Sequence, residues 1–199
     1  MLIKEKVIVL KTVRYGDSDL IVNCLTPQGA RLSLFARSAL KSKKRFGGGV
    51  LEPTHYIHVL YDDKTSKGAG DGHLHTLKEA SLIEDFPRLR TDYNRIELGL
   101  HLVQLVANTV REGDVNSTTL FNLLGNALKA TEESHDLAKL KTHFEIKLLA
   151  DQGVLPPEKE NIHLVRTPIS EHERLQLNPY EWNVLRQQVR QCMDEYFGK

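Results

Sequence analysis

The chain has 199 residues, of which 40% are hydrophobic, and a formal net charge of +1; this is enough apolar material for one large domain or two small ones. Its two cysteines, Cys24 and Cys192, lie far apart in apolar segments and read as small buried hydrophobes of a reducing compartment, which excludes a disulfide framework. No apolar run approaches the roughly 18 residues of a membrane span, and the charged start MLIKEKVIVLK is no signal peptide, so the expected location is the cytoplasm.

The near-neutral total hides a polarised chain. Residues 1–50 hold ten Lys/Arg against three Asp/Glu, a local balance of +7, while the remainder carries 17 against 23. Such asymmetry points to a polyanionic partner meeting the N-terminal part.

In chain order, residues 6–14 (KVIVLKTVR) are β-branched and end at the turn-forming cluster YGDSD. Residues 20–26 (LIVNCLT) form a second strand closed by Pro27-Gln28-Gly29. Residues 30–39 alternate, with Leu32, Leu34 and Ala36 on one face and Arg31, Ser33, Phe35 and Arg37 on the other. The segment ARSALKSKKRFGGG follows, placing Arg37, Lys41, Lys43, Lys44 and Arg45 within nine positions beside three glycines. A fourth strand is expected over 50–61, a polar Gly-rich loop over 62–72, and a fifth strand over 73–83. Five short antiparallel strands without a long internal helix predict a small closed barrel of the OB-fold type, since closure removes exposed edges.

From Phe86 the period changes to about 3.6 residues. One helix is expected over 92–111, with Ile96, Leu100, Val103, Ala107 and Val110 as its apolar stripe, widened by Leu102 and Val106. Others are expected over 117–130 and 136–152, the latter apolar on two sides and therefore central. Residues 155–177 are weakly patterned. A last helix opens at Asn178-Pro179-Tyr180-Glu181, an N-cap, a first-position proline and the glutamate of a capping box. The fold class is thus α+β, a five-stranded β-barrel over residues 1–84 and a helical domain over 85–199.

No catalytic constellation emerges, and the chain does not read as an enzyme. Asp17/Asp19 and Asp62/Asp63 sit in turn-like clusters that favour Asp for backbone reasons. His73 and His75 share a strand face without a Cys or third His and read as surface residues. Gly47-Gly48-Gly49 lacks the Lys-Ser/Thr of a phosphate-binding loop. The basic stretch carries more. Arg31, Phe35 and Arg37 on one strand face, with Tyr56 on the fourth strand and Arg14 at the end of the first, combine cations for phosphates with aromatics for stacking. The glycines permit unusual backbone conformations and close approach to a phosphate chain. Arg14, Arg31, Phe35, Arg37, Lys41, Lys43, Lys44, Arg45 and Tyr56 are the expected nucleic-acid contacts. Three or four phosphates neutralised imply a slope of roughly −2 to −3 in log K against log salt. An RNA-binding barrel, or an adaptor whose basic loop binds an acidic protein, are the alternatives.

RYGDSDLIV (14–22), TPQGARLSLFARSALKSKKRFGG (26–48), LEP (51–53) and FEIKLL (144–149) together resemble the bacterial RecO recombination-repair proteins. The resemblance implies an OB-fold domain followed by a helical domain and a non-enzymatic role in the RecF pathway. It implies binding of single- and double-stranded DNA, annealing of complementary strands coated with single-strand-binding protein, contact with that protein's C-terminal tail, and, with RecR, help in loading RecA. The implied location is the bacterial cytoplasm, at the nucleoid. Many RecO-like proteins carry a four-cysteine zinc motif after the FEIKLL-like helix, whereas residues 153–167 contain no cysteine here. No cofactor and no zinc finger are expected, so elemental analysis of the purified protein is expected to find no stoichiometric zinc; one zinc per chain would refute this.

Overall fold

The computed structural model describes residues 1–63, 74–111, 118–155 and 161–198. Most of the expected 62–72 loop, and His73, lie outside the described residues. Two compact units are present, one of residues 1–87 with 103–125 and the other of residues 88–102 with 126–199.

In the first unit, strands β1 (Leu2–Tyr15), β2 (Asp19–Leu25), β3 (Arg31–Ala36), β4 (Tyr56–Asp62) and β5 (His75–Glu84) close into a barrel in the order β1-β2-β3-β5-β4. The first strand is longer than its β-branched stretch suggests, because it serves two neighbours. Leu2–Ile8 pairs with β4 and Ile8–Tyr15 with β2, with a register shift between Val9 and Lys11 where the strand bends. The last strand pairs antiparallel with β4 and parallel with β3, at Leu34–His75 and Phe35–Thr76. This is the five-stranded OB-fold architecture. Strands β3 and β4 alternate strictly between buried and half-buried residues, as side chains of period two must, and β2 does so until Leu25, which is buried like Cys24 before it. Val22, Cys24, Leu34, Ile57 and Leu77 fill the interior. Burial raises the Cys24 thiol far above its ordinary value; Cys192, by contrast, is only partly buried.

The basic stretch is a built plug rather than a solvated loop. The third strand stops at Ala36, so Arg37 opens a turn instead of continuing the strand face, and Ser38 takes a left-handed conformation (φ 54°). A 3-10 turn (Ala39–Lys41) leads into helix α1 (Lys43–Phe46), whose N-cap Ser42 accepts from the Arg45 amide at 3.4 Å. Ala39, Phe46, Val50 and Leu51 enter the barrel core. Gly48 and Gly49 both have φ 72°, and a Cβ on Gly49 would lie 2.4 Å from Glu52 Oε1. Their glycines are therefore required by the chain reversal itself. The expected strand over 50–61 begins only at Tyr56, since residues 50–54 complete this reversal.

Within the helices, α2 (Tyr93–Thr109) and α3 (Thr118–Glu133) contribute residues to both units. The expected α2 stripe is rotated. Leu98, Leu102, Val103, Leu105 and Val106 are buried, whereas Leu100 is 43% exposed. Arg95 donates to the Thr131 and Ser134 carbonyls at the end of α3, the second at 3.0 Å, satisfying terminal acceptors.

In the second unit, α4 (Leu137–Asp151) is buried on two sides, through Leu140, Phe144, Leu148 and also Ile146, as its sequence anticipates. The weakly patterned region contains α5 (Ile162–Arg166) and a 3-10 turn (Ile169–Arg174), and both pack on α4. Helix α6 (Pro179–Phe197) opens with both capping-box bonds, at 2.9 and 2.8 Å between Asn178 and Glu181.

Polar anchors from α4 hold the short elements. Lys147 Nζ donates to the Val165 and Thr167 carbonyls, the second at 2.8 Å, and burial lowers its pKa. His143, 0% exposed, donates Nε2–H to the Leu164 carbonyl at 2.8 Å, leaving its Nδ1 buried without a partner. Burial pushes the His143 pKa down to about 4. His172 is also lowered by burial; its Nδ1–H donates to the Ile169 carbonyl at 3.0 Å and its Nε2 accepts from Ser134 Oγ at 2.7 Å.

Two predictions follow from these contacts. His143 is neutral in the fold with a pKa below its unfolded value of about 6.5, so the unfolded chain takes up the proton first. The stabilisation is complete above about pH 6.5 and is lost as pH falls toward about 4. Urea unfolding should lose about 2 kcal/mol more between about pH 7 and about pH 5 in the wild type than in His143→Gln, which keeps a donor for Leu164. Equal losses would refute the assignment. The second concerns Arg45, which donates to the Arg37 carbonyl at 2.8 Å and to Ser42 Oγ at 3.2 Å, with its guanidinium 4.9 Å from the Phe46 ring centroid. Arg45→Ala should cost about 1–2 kcal/mol in urea unfolding. Lys43→Ala, at an exposed position, should stay within about 0.5 kcal/mol.

Candidate nucleic-acid interface

The outward face of β1, β2 and β3 carries aligned rows of side chains. Val13, Ile21, Phe35 and Thr76 are register partners across four strands, and Lys11, Asn23 and Ser33 form the next row, tied by Ser33 Oγ donating to Asn23 Oδ1 at 3.1 Å. Tyr15, 59% exposed, meets Phe35 edge to face with ring centroids 5.9 Å apart. This pair is an accessible aromatic platform on a rigid sheet. Tyr15 was legible as an outward residue from its parity with Val13, but its place in a Tyr-Gly turn masks it as turn chemistry.

The β1–β2 turn fastens the basic segment to this platform. Asp19 Oδ1 accepts from the Ser38 amide at 2.7 Å, and the Ser18 carbonyl accepts from the Leu40 amide at 3.0 Å. The YGDSD cluster therefore fixes where the cations emerge. Arg14, Arg37, Lys41, Lys43 and Lys44 are exposed, while Arg45 is partly buried by its contacts within the plug. Arg14 and Lys43 line one open cleft of about 460 Å³ with Gly47, Gly48, Gly49 and Glu52. Lys44 and Arg45 line a different cleft of about 700 Å³, with Lys4, His58, Glu79 and Ser81. The stretch that is continuous in sequence is thus divided between two surfaces.

Two expected contacts stand apart from the platform. Arg31 is on the same strand face as Phe35, but its amide donates to the Arg111 carbonyl at 3.1 Å and its Nε is buried without a partner, so its side chain is half covered. Tyr56 lies on β4, whose neighbours are β1 and β5, and its ring packs edge to face on Phe121 of α3 at 5.9 Å. Strand order therefore does not extend the Phe35 face to Tyr56. His75 is not a surface residue as expected; it is 8% exposed, with Nδ1 3.2 Å from Asp63 Oδ1.

The basic residues of α4, unassigned from the sequence, have structural partners. Lys139 Nζ donates to the Leu175 carbonyl at 3.4 Å and lies 5.7 Å from the Trp182 ring centroid, and Lys141 lies 3.9 Å from Glu145. Together with Lys147, whose Nζ donates to the Val165 and Thr167 carbonyls, these cations are engaged within the helical unit.

Residues 1–86 match the family model for the recombination protein O N-terminal domain, and residues 90–164 match that for its C-terminal domain. The chain is 31% identical to the DNA repair protein RecO of Maridesulfovibrio salexigens over 78% of this chain and 61% of that protein. It is 33% identical to the DNA repair protein RecO of Syntrophus aciditrophicus over 88% of this chain and 64% of the relative. With the RecO of Alkaliphilus metalliredigens the identity is 29% over 78% of this chain and 60% of the relative. The chain thus spans between 60% and 64% of the length of these relatives. A closed five-stranded barrel with the YGDSD turn locked to a basic plug, and two domain models matched in order along 1–86 and 90–164, place the chain in the RecO family.

Proposed function

We propose that the protein is a DNA-binding mediator of recombinational repair that works by binding and annealing rather than by catalysis. The observation that carries this reading is the Tyr15–Phe35 platform, with the basic segment fastened to its β1–β2 turn through Asp19 and Ser38 and with Arg14, Arg37, Lys41 and Lys43 exposed. Bases stack on exposed aromatic rings with little sequence preference, while cations along a groove neutralise the backbone. Membership of the RecO family supports DNA as the polyanion, and relatives bear the name DNA repair protein.

In this reading residues 1–84 are the OB-fold DNA-binding domain and residues 85–199 a helical domain without a zinc finger. Neutralisation of the phosphate backbone lowers repulsion between two strands, and stacking on Phe35 and Tyr15 keeps bases unpaired and available. The chain binds single- and double-stranded DNA, anneals complementary strands and, with RecR, helps load RecA on DNA coated by single-strand-binding protein. A docking contact with that protein's C-terminal tail concentrates a weakly binding mediator on coated DNA. The protein works in the bacterial cytoplasm, at the nucleoid. No helix among the described residues is long and apolar enough to cross a membrane.

Phe35→Ala should weaken single-stranded DNA binding by about tenfold, or about 1.4 kcal/mol, which lies within the range of base stacking on an aromatic ring, without changing the salt slope. Joint neutralisation of Arg14, Arg37 and Lys43 should lower the slope of log K against log salt by about 2, at roughly 0.7 per lost phosphate contact. Fluorescence anisotropy of labelled oligonucleotides across salt measures both. Unchanged affinity in the two variants, with the fold intact, would refute the reading, and a matched RNA oligonucleotide bound more tightly than DNA would redirect it.

A further inference from the structure

The second cleft lies on a part of the barrel wall that the Phe35 platform does not use. Around the closed sheet, the platform occupies β1, β2 and β3, whereas Lys4, Lys6, His58 and Ser81 belong to the N-terminal half of β1, to β4 and to β5. Lys6, His58 and Ser81 are register partners across these three strands, as are Lys4, Leu60 and Glu79. At the other end of this wall Tyr56 is covered by Phe121 of α3. The Lys4 and Lys6 side chains are exposed and form no ion pair with any described residue, and the same holds for Lys44, which α1 brings over this cleft. Arg45 supplies a fixed fourth positive charge, its guanidinium held by the Arg37 carbonyl and by Ser42. One carboxylate, that of Glu79, lines the same cleft.

We infer that the β1–β4–β5 face, through Lys4, Lys6, Lys44 and Arg45, is a second binding surface for a single-stranded nucleic-acid backbone, separate from the Tyr15–Phe35 platform. This rests on the DNA-binding reading above and adds a second strand to it. Lys4 and Lys6 stand two residues apart on one strand, about 6.6 Å, which suits successive phosphates of an extended chain. The cleft presents cations from two elements and no exposed aromatic ring, so it takes the sugar-phosphate backbone and leaves the bases facing outward. An acidic peptide with apolar anchors would need an apolar pocket among these cations, and the lining here offers only Val59, Leu60 and Ala80, of which Val59 is buried. Two strands held on different walls of one barrel, one by stacking and one by its phosphates, would both have bases accessible for pairing. The plug residues Lys43 and Lys44, adjacent in sequence, then serve different strands.

The test neutralises Lys4, Lys6 and Lys44 together to Gln in the full chain and leaves the platform intact. Binding stoichiometry per chain is measured with an oligothymidine of about eight nucleotides, short enough for one site. Energy transfer between donor- and acceptor-labelled oligothymidines reports whether one complex holds two strands. The wild type is expected to bind two oligonucleotides per chain and to give transfer. The triple variant is expected to bind one, with the tighter affinity unchanged within about twofold, to lose transfer, and to anneal complementary strands about tenfold more slowly. Circular dichroism and urea midpoint should not move, since the three side chains are exposed. Two oligonucleotides still bound by the variant would overturn the inference, as would displacement of the second oligonucleotide from the wild type by an oligoglutamate peptide at equal charge concentration. A wild type that binds one oligonucleotide overturns the second site alone, whereas a wild type that binds none overturns the DNA-binding reading with it.

Discussion

Phe46 sits in the core of the barrel, and the direction of every cation near it follows from that anchor. A five-stranded barrel has an open end, and an apolar interior exposed there would forfeit the burial that holds the sheet closed. Ala39, Phe46, Val50 and Leu51 fill this end from a single stretch of chain. Residues between them along two short helical turns must then point away from the core. Lys41, Lys43 and Lys44 are solvent-facing for this reason, and their high local charge is the complement of the apolar plug.

The same constraint explains why the plug is tied down so thoroughly. Five like charges in a short segment repel one another, and the conformation they share includes left-handed residues at Ser38, Gly48 and Gly49. Asp19 accepting from the Ser38 amide, Ser18 accepting from Leu40, and Arg45 bridging Arg37 and Ser42 offset that repulsion with fixed hydrogen bonds. Charge and rigidity are coupled in this segment. Preorganised cations lose less side-chain and backbone freedom on meeting a phosphate chain than a floppy loop would.

The helical unit solves a different problem with similar means. Its short elements, α5 and the 3-10 turn after it, are too brief to satisfy their own terminal carbonyls. Lys147 and His143 of α4 reach those carbonyls, and His172 closes a buried chain through Ser134. Lys139 and Lys147 are in this way engaged by backbone acceptors, and Lys141 by Glu145. Burial holds the imidazoles of His143 and His172 below their ordinary pKa.

Much of this protein was legible from the order of its residues. The alternation of Leu32, Leu34 and Ala36 with Arg31, Ser33 and Phe35, and the capping box at Asn178 and Glu181, are local patterns with one physical solution each, and both match the structure. The rotation of the buried face of α2 toward Leu98 and Leu102 was not, because a helix with apolar residues around much of its circumference leaves the packing partner to choose. Neither were the short elements between 161 and 174, which carry little periodicity. By itself the sequence determined the α+β class, the strand-facing residues and the concentration of charge before the glycines, since these depend on neighbours a few positions away. Tertiary structure alone decided that Tyr15 meets Phe35, that Tyr56 lies against Phe121, and that Lys43 and Lys44 face different clefts. Barrel closure brings together strands far apart in the chain, and no local pattern encodes which outer wall a plug residue will overhang.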